Sequence, residues 1–240
     1  MWCFCYQGMS TYLIIGASSG IGKQLALQLA DAGHLVVGTF CKTKEVGADS
    51  RVQLHYLDVL EEQMNLDFLP ATLDGLVYCP GSISLKPFNR IITADFLQDY
   101  QLQVLGAVRV IQAVLPKLKA ANDPSVILFS TVAVQLGLPY HALVSSSKGA
   151  LEGLTKSLAA EFAPKIRVNC IAPSLTDTPL AASLLNTAEK KEANAQRHPM
   201  KKIGSVEDIA NMAEFMLSPK ASWITGQVLH VDGGMSTVKI

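Results

Sequence analysis

The chain alternates between short apolar runs and longer stretches in which apolar residues recur at helical spacing. Short, fully apolar runs such as Leu76–Cys79 are typical of strands in a parallel sheet that is covered on both faces. The alternation predicts repeated strand–helix–strand units and therefore an α/β fold. The predicted strands are Tyr12–Ile15, Leu35–Phe40, Val52–Tyr56, Leu76–Cys79, Val126–Ser130, Val168–Ile171 and Gln227–Val231. The predicted helices are Gly20–Ala32, Asp95–Leu118, about Ser145–Phe162 and Val206–Leu217.

No repeat, linker or low-complexity segment divides the chain. We therefore expect a single domain over residues 11–240, preceded by an N-terminal extension of residues 1–10. Met9-Ser10-Thr11 resembles a native start, so residues 1–8 are expected to have no function. Residues 174–204 differ in texture, because they contain two prolines and a charged cluster at 189–192. Long insertions are often lids, so this segment is either a mobile substrate lid or a solvated surface helix.

Composition and charge limit the partners. Of the 240 residues, 49% are apolar and 17% are charged, which indicates an extensive buried sheet or a buried subunit interface. Lys and Arg equal Asp and Glu at 20 each, so no basic surplus remains to neutralise nucleic-acid phosphates. No apolar run reaches the length of a membrane span, and the N-terminus does not resemble a signal peptide. We expect no nucleic-acid or membrane partner.

The cysteines bear on compartment and on metals. Five cysteines, an odd number, are typical of reduced thiols in a cytoplasmic protein. Cys3 and Cys5 stand too close together for an ordinary zinc pair and have no second pair. We therefore expect a cytoplasmic protein without a metal site.

A glycine-rich segment, Gly-Ala-Ser-Ser-Gly-Ile-Gly at residues 16–22, separates the first predicted strand from the first helix. The N–H groups and the dipole of a helix N-terminus favour an anion. Glycine lets the main chain approach a pyrophosphate without an intervening Cβ atom. Ser18 and Ser19 can cap the helix or bind phosphate oxygens. The spacing in this strand–turn–helix context predicts a dinucleotide site rather than a purely structural turn.

Six segments in chain order resemble motifs of the short-chain dehydrogenase/reductase family, and the resemblance extends from Tyr12 to Gly234. It implies a Rossmann fold with a seven-stranded parallel sheet in the order 3-2-1-4-5-6-7 and helices on both faces. The segments are residues 16–22, Leu57-Asp58-Val59, Asp-Gly-Leu-Val at 74–77, Ser-Lys-Gly-Ala-Leu at 147–151, Arg-Val-Asn-Cys-Ile-Ala-Pro at 167–173 and Gly-Gln-Val-Leu-His-Val-Asp-Gly-Gly at 226–234.

The resemblance also implies a nicotinamide dinucleotide cofactor. In the family the Asp of the Asp-Val pair contacts adenine, and the Lys holds the nicotinamide ribose; these positions are Asp58 and Lys148 here. Together with the glycine turn and the end of the second strand, the expected cofactor-binding residues are Gly16, Ser18, Ser19, Gly20, Ile21, Gly22, Thr39, Lys42, Asp58, Val59, Gly81, Lys148, Pro173, Thr176 and Thr178.

The end of the second strand bears on the choice of cofactor. An acidic residue there binds the ribose 2′-hydroxyl of NAD and repels a 2′-phosphate. This chain has no carboxylate there before Glu45, whereas Lys42, Lys44 and the Thr39 hydroxyl suit a phosphate. We therefore expect NADP(H) in preference to NAD(H), the alternative being that the lysines are an ordinary solvated loop.

The catalytic residues of the family are Asn, Ser, Tyr and Lys, and this chain departs from most of them. Lys148 is present, but Val144 stands four residues earlier, at the position of the tyrosine acid. The serine position is Thr131, or Ser130 if the alignment slips by one residue, and the asparagine position is Gln103. Two further departures are Cys-Pro-Gly at 79–81 for Asn-Ala-Gly and Pro173-Ser174 for Pro-Gly.

Another residue can supply the proton. Divergent enoyl reductases of the family place a tyrosine seven residues before the lysine. His141 has this spacing from Lys148, and Tyr140 misses it by one residue. Histidine is a competent acid near neutral pH. However, Gly137-Leu138-Pro139 predicts a loop around both residues, in which helical register does not apply, so either residue can instead be a loop side chain that lines the cleft.

Three functions remain open. The first is an NADP(H)-dependent oxidoreductase that acts on a small carbonyl or enoyl substrate with Tyr140, His141 or water as proton source, Lys148 on the ribose and Thr131 on the substrate. The second is a non-catalytic NADP(H) sensor or scaffold, favoured by Val144 and Gln103. The third is a structural subunit beside an active relative. The resemblance also implies a homotetramer or homodimer formed through the long helices.

Overall fold

The computed structural model describes residues 8–42 and 51–239. One parallel sheet of seven strands has the order β3-β2-β1-β4-β5-β6-β7, which confirms the expected order. The strands are β1 (Thr11–Ile15), β2 (Leu35–Phe40), β3 (Val52–Tyr56), β4 (Gly75–Tyr78), β5 (Ser125–Phe129), β6 (Arg167–Pro173) and β7 (Val228–Val231). Every residue of β4 and β5 is buried, as their unbroken apolar sequences require.

Helices cover both faces of the sheet. They are α1 (Gly20–Asp31), α2 (Thr93–Tyr100), α3 (Gly106–Ala120), α4 (Ala133–Leu136), α5 (Ala142–Phe162), α6 (Ala188–Gln196) and α7 (Val206–Leu217). Three short 3-10 segments are Phe88–Arg90, Pro179–Leu184 and Pro219–Ala221. None of the helices described is long and apolar enough to cross a membrane.

Two apolar cores lie on opposite faces of the sheet. On one face, buried residues of α3 and α5 such as Val114 and Leu151 pack against Leu76 and Val126 of the central strands. On the other face, Leu25 of α1 and residues of α7 pack together over the same strands. The two layers hold the sheet rigidly, so the loops at its ends have fixed starting points.

Two helices differ from the sequence prediction in ways that matter for the site. The long helix predicted for Asp95–Leu118 contains a π-helical turn, Gln101–Leu105, between α2 and α3. The helix predicted to begin near Ser145 begins at Ala142 with His141 as its N-cap, because the Ser145 N–H donates to the His141 carbonyl at 2.8 Å. Helical register therefore applies from His141 onward, contrary to the expected loop.

Residues 174–204 contain a surface helix, one of the two alternatives considered from the sequence, whereas the mobile substrate lid stays a prediction. A 3-10 segment, Pro179–Leu184, lies over the sheet edge, and α6 follows it with a mostly exposed face. The carboxyl ends of parallel strands meet at one edge of a sheet, where ligands bind in open α/β folds. This segment and the loops after β1, β4 and β5 converge at that edge.

Candidate functional site

A cavity of about 470 Å³ lies at the carboxyl edge of the sheet. The glycine turn after β1, the loop after β4, the end of β5, the face of α5 and residues 173–198 contribute to its walls. Most of the wall is apolar, with a few polar side chains that point to one place, as is usual for small-molecule sites. Among the described residues no three His, Cys, Asp or Glu side chains are grouped to hold a metal ion.

The glycine turn forms one end of the cavity. Gly16 and Gly20 have φ values of +81° and +53°, a conformation that favours glycine. A Cβ atom at Gly22 would lie 2.3 Å from the Gly16 carbonyl oxygen, so the turn and the first turn of α1 are in backbone contact. Gly16, Ser19, Gly20, Ile21 and Gly22 all line the cavity. The turn is therefore a backbone cradle open at the N-terminus of α1.

The serines and Thr39 do not all behave as the sequence suggested. Ser19 is the N-cap of α1, but its side chain makes no capping bond, and Ser18 does not line the cavity. Thr39 is 1% exposed; its hydroxyl oxygen accepts from the Gly16 N–H at 3.2 Å, and its carbonyl accepts from the Ala17 N–H at 2.8 Å. The assignment of Thr39 to a phosphate is corrected: Thr39 shapes the turn from within the sheet.

The adenosine end of the expected site lies beyond β2 and β3. Lys42 is exposed there, whereas Lys44 and Glu45 lie outside the described residues. Asp58 Oδ1 accepts from the Leu60 N–H at 2.9 Å, so the carboxylate is held beside this edge. Val59 is buried and packs against Gly106.

The segment after β6 closes the cavity from above. Pro173, Thr176 and Thr178 all line it. The Thr178 hydroxyl accepts from the Ala181 N–H at 3.3 Å and caps the 3-10 segment. A Cβ atom at Gly20 would lie 3.6 Å from Thr178, so this segment rests directly on the glycine turn.

Lys148 lies in the centre of the site. Its ammonium donates to the Phe129 carbonyl at 2.9 Å, and the side chain is buried. Burial lowers the pKa of Lys148 to about 8, against the smaller opposing effects of Cys170, Asp99 and Cys79. Burial raises the pKa of the Cys79 thiol to about 12, so this neighbour stays neutral. Lys148 is thus a buried cation at neutral pH with donors left for a ligand.

The hydroxyls at the end of β5 have different partners. Ser130 donates to Glu152 Oε1 at 2.5 Å and is 5% exposed. The Thr131 hydroxyl oxygen accepts from the Ala133 N–H at 3.3 Å, which leaves its hydrogen free to donate into the cavity. Of the two candidates from the alignment, Thr131 is therefore the one with a donor available to a substrate.

The face of α5 brings His141, Val144 and Lys148 to the cavity, at spacings of one and two helical turns. His141 Nδ1 is 2.7 Å from the Pro139 carbonyl oxygen. Because a carbonyl only accepts, Nδ1 carries a hydrogen and Nε2 is the nitrogen left for a ligand. Tyr140 has a φ of +67°, is 61% exposed and does not line the cavity. The structure therefore brings His141, and not Tyr140, to the site.

Gln103 lies behind the cavity wall rather than in it. It is fully buried in the π-helical turn, and its Nε2 donates to Asp99 Oδ2 at 2.7 Å. Asp99 also accepts from the Ser82 hydroxyl. The Oε1 atom of Gln103 is buried without a hydrogen-bond partner, and both it and Lys148 Nζ lie 3.6 Å from the point where Gly81 would carry a Cβ atom. The space that a side chain at Gly81 would occupy is therefore next to both Gln103 Oε1 and Lys148 Nζ.

Sequence reasoning missed several polar residues around the cavity, among them Asp99, Glu152, Ser174 and His198. Asp99 lies four residues before Gln103, and this helical spacing was the available signal. Glu152 stands at the same spacing after Lys148. Ser174 was noted only as a departure from the family, and His198 carried no sequence signal at all. In the structure Ser174 Oγ is 2.8 Å from His198 Nε2.

Comparison with known proteins gives a consistent picture. A family model described as enoyl-(acyl carrier protein) reductase matches residues 16–236. A 3-oxoacyl-[acyl-carrier-protein] reductase of Staphylococcus aureus is 32% identical over 93% of this chain and 96% of its own length. A tropinone reductase homologue of Arabidopsis thaliana is 31% identical over 96% of this chain and 94% of its own length.

Solved structures agree with the sequence matches. The Pseudomonas aeruginosa RhlG/NADP active-site complex superposes with a TM-score of 0.89 at 26% identity. The superposition covers 95% of this chain and 96% of that one. Both chains therefore share one architecture over nearly their whole length.

Proposed function

The chain belongs to the short-chain dehydrogenase/reductase family, and on this premise we propose that it is an NADP(H)-dependent oxidoreductase of small carbonyl or enoyl substrates whose proton donor is His141. The observation that carries the proposal is the shared face of α5, on which His141, Val144 and Lys148 line one cavity with Thr131 opposite. The acid position four residues before Lys148 is occupied by Val144, which has no proton to give.

The residues at the glycine turn fit a dinucleotide. The turn leaves no room for a Cβ atom at Gly22, and its backbone N–H groups open onto the cavity at the start of α1. Residues 16–22 would hold the pyrophosphate, Thr178 would cover it, and Lys148 would bind the nicotinamide ribose. When bound, NADPH supplies the hydride that reduces the substrate.

Thr131 and Lys148 position the reacting groups. The Thr131 hydroxyl, already an acceptor from Ala133, donates to the substrate carbonyl oxygen and makes its carbon more electrophilic. Lys148 is held by the Phe129 carbonyl and keeps its charge beside the developing negative oxygen. Both groups favour hydride transfer by orientation and by charge.

His141 delivers the proton. In the protonated form its Nε2–H bond breaks, the proton passes to the substrate oxygen, and the electron pair of that bond stays on Nε2. The Nδ1–H remains bonded to the Pro139 carbonyl, so the ring ends neutral and in a fixed tautomer. His141 is partly exposed, so solvent can reprotonate it between turnovers.

A pair of substitutions tests this assignment. His141→Gln should lower kcat for NADPH-dependent reduction by about 10²–10⁴-fold, the usual contribution of a general acid. Tyr140→Phe is the matched control, because Tyr140 is adjacent but faces solvent, and it should keep the activity.

Two outcomes would count against the proposal. If Tyr140→Phe removes activity and His141→Gln does not, the donor is misassigned. If a panel of aldehydes, ketones and enoyl thioesters gives no NADPH oxidation while NADPH still binds, the oxidoreductase proposal fails and a non-catalytic NADP(H) sensor or scaffold replaces it.

The preference for NADP(H) rests on Lys42. It is exposed just beyond the carboxyl end of β2, where a 2′-phosphate lies in this fold. The relative crystallised with NADP supports the same cofactor class. The Lys42 side chain supplies the charge that a 2′-phosphate needs.

We also propose a homotetramer or homodimer in which the region before and along α2 is buried. Phe88, Ile92 and Leu97 are each more than half exposed there, and an apolar patch of this kind marks an association surface.

Residues 174–204 act as the substrate lid in this proposal, because their inner side forms the cavity roof.

A further inference from the structure

A second polar pair on the cavity wall takes no part in the proposed proton transfer. Ser174 directly follows β6, and His198 follows α6. Ser174 Oγ is 2.8 Å from His198 Nε2, and His198 Nδ1 is 2.9 Å from the Asn194 carbonyl oxygen. Both side chains line the cavity, although His198 is only 3% exposed. A buried imidazole fixed at both nitrogens is a preformed polar site.

The direction of the hydrogen bonds depends on the protonation of His198. The Asn194 carbonyl only accepts, so Nδ1 always carries a hydrogen. In neutral His198, Nε2 accepts the hydroxyl hydrogen of Ser174. In protonated His198, Nε2 donates to Ser174 Oγ, and the hydroxyl hydrogen is released to donate into the cavity or to Met235 Sδ, which lies 3.2 Å away. The protonated pair is therefore a donor suited to an anion.

The titratable side chains that line the cavity also favour an anion. Arg197, Lys148 and two histidines line it, whereas no Asp or Glu of the described residues does. The Arg197 guanidinium is 3.5 Å from Asn194 Oδ1 and forms no ion pair with a described carboxylate. Arginine matches the two oxygens of a carboxylate.

We propose that Ser174, His198 and Arg197 form an anion site, and that the substrate is a carbonyl compound with a carboxylate at its far end. The inference rests on the proposed function, in which Thr131 and His141 bind the reacting carbonyl in the same cavity. The lining of this cavity is mostly apolar, which suits an aliphatic chain that joins the two ends of such a substrate.

The carboxylate binds to the protonated pair, in which the Ser174 hydroxyl is free to donate, and it compensates the charge of the buried imidazolium. The charged groups that face the pair are Arg197 in the main cavity and Lys202, Asp208 and Asp232 in a smaller adjoining cavity. Asp208 pairs with Lys202 at 3.2 Å, and Asp232 accepts hydrogen bonds within its own turn. Both carboxylates are thus already compensated.

Substrates matched in length test the proposal by kinetics. The unmodified protein should reduce 4-oxobutanoate with a kcat/KM at least tenfold above that for butanal, which has the same chain without the carboxylate. Arg197→Gln and Ser174→Ala should each lower kcat/KM for 4-oxobutanoate by about 10- to 100-fold, the range for hydrogen bonds to charged groups, and leave butanal unchanged. Arg197→Lys should recover part of the loss.

Lys201→Gln is the matched control. Lys201 is a nearby exposed cation that donates to the Gln196 carbonyl and does not line the cavity. It should leave the ratio of the two substrates unchanged. An equal loss in Lys201→Gln and Arg197→Gln, equal effects on both aldehydes, or no preference in the unmodified protein would overturn the anion site.

A binding measurement separates this proposal from the proposed function. Calorimetry with butanoate, which cannot be reduced, should show binding. Neutral butanamide should not bind at this site, and Ser174→Ala should weaken the binding of butanoate. If no aldehyde is reduced but butanoate binds as described, the anion site stands and the reductase proposal fails. If aldehydes are reduced and butanoate does not bind, the reductase proposal stands and the anion site fails.

Discussion

The glycine turn and the inner face of α5 lie at the same cavity, yet their sequences relate to the family in opposite ways. The turn keeps the Gly-Ala-Ser-Ser-Gly-Ile-Gly pattern, whereas α5 carries Lys148 with Val144 one turn before it, where we propose that the family's acid is absent. The turn works through its backbone, which only glycine can bring so close. The helix works through side chains, which can change without altering the fold.

The comparison shows why binding and chemistry separate in this molecule. A Cβ atom at Gly22 would collide with the Gly16 carbonyl, so substitution there disturbs the fold itself. Val144 is 6% exposed and simply continues the apolar wall of the cavity. The architecture therefore constrains the cradle strictly and the side chain of Val144 weakly, in line with our proposal that His141 supplies the proton.

The largest effect is expected at the turn. Gly22→Val should abolish NADPH binding and lower the melting temperature, because the Cβ atom would lie 2.3 Å from the Gly16 carbonyl oxygen. Gly153→Ala on the exposed side of α5 is the control; nothing lies within 4 Å of its Cβ position, and helix propensity predicts a stabilisation of up to about 1 kcal/mol. Fluorescence titration and thermal unfolding measure both. Full NADPH affinity in Gly22→Val would show that the glycine turn is not constrained more strictly than α5.

The buried charge of α5 should appear in the pH dependence of stability. The pKa of Lys148 falls from 10.5 to about 8 on folding, so the unfolded chain holds one more proton between these values. Stability therefore rises with pH across this window, by up to about 3 kcal/mol from this group. Lys148→Met should remove that rise and stabilise the protein below pH 8.

Denaturant unfolding without cofactor, below pH 8 and near pH 10.5, measures this effect. Lys156→Met on the exposed side of the same helix is the control and should keep the rise. The same pH dependence in Lys148→Met and the unmodified protein would show that the burial of Lys148 carries no such penalty.

Restoring a tyrosine sharpens the comparison from the chemical side. In a His141→Gln background, Val144→Tyr should raise kcat by up to ~10²-fold, since Lys148 stands one turn away and Thr131 holds the carbonyl. Val144→Phe matches the ring without the hydroxyl and should give no gain. Equal rates in the two variants would show that a tyrosine hydroxyl at this position does not deliver a proton to the substrate.

The smallest effect is expected at the edge of the cradle. Lys42→Ala should weaken NADPH binding about fivefold, as one exposed charge pair contributes at most about 1 kcal/mol. NADH has no 2′-phosphate and serves as the internal control in the same titration. An equal loss for both dinucleotides would remove Lys42 from the phosphate site.

The sheet was predictable because apolar runs and glycine signals are local. The strand bounds agree with the sequence to within one or two residues, whereas the strand order was implied by the family resemblance and not by local signals. The π-helical turn at Gln101–Leu105 was not predictable, since the spacing of apolar residues does not mark the turn in which a helix takes up an extra residue. The start of α5 was missed because Pro139 suggested a longer loop than the structure has.

The site was predictable only where a motif carried it. The glycine turn, Lys148 and Thr178 line the cavity as expected. Ser174 and His198 meet through the fold and not through a motif, since the chain between them forms a separate segment before returning. Thr39 was misassigned because sequence position at a strand end does not say which way its hydroxyl points.

Thr39 also determines the conformation of the glycine turn. Through its hydroxyl and its carbonyl it fixes Gly16 and Ala17 from the neighbouring strand. The turn is therefore held in this shape by the sheet itself, and under the proposed function a nucleotide would lose little affinity to ordering the protein. The conformational entropy of the glycine turn is lost when the sheet folds and not when a ligand binds.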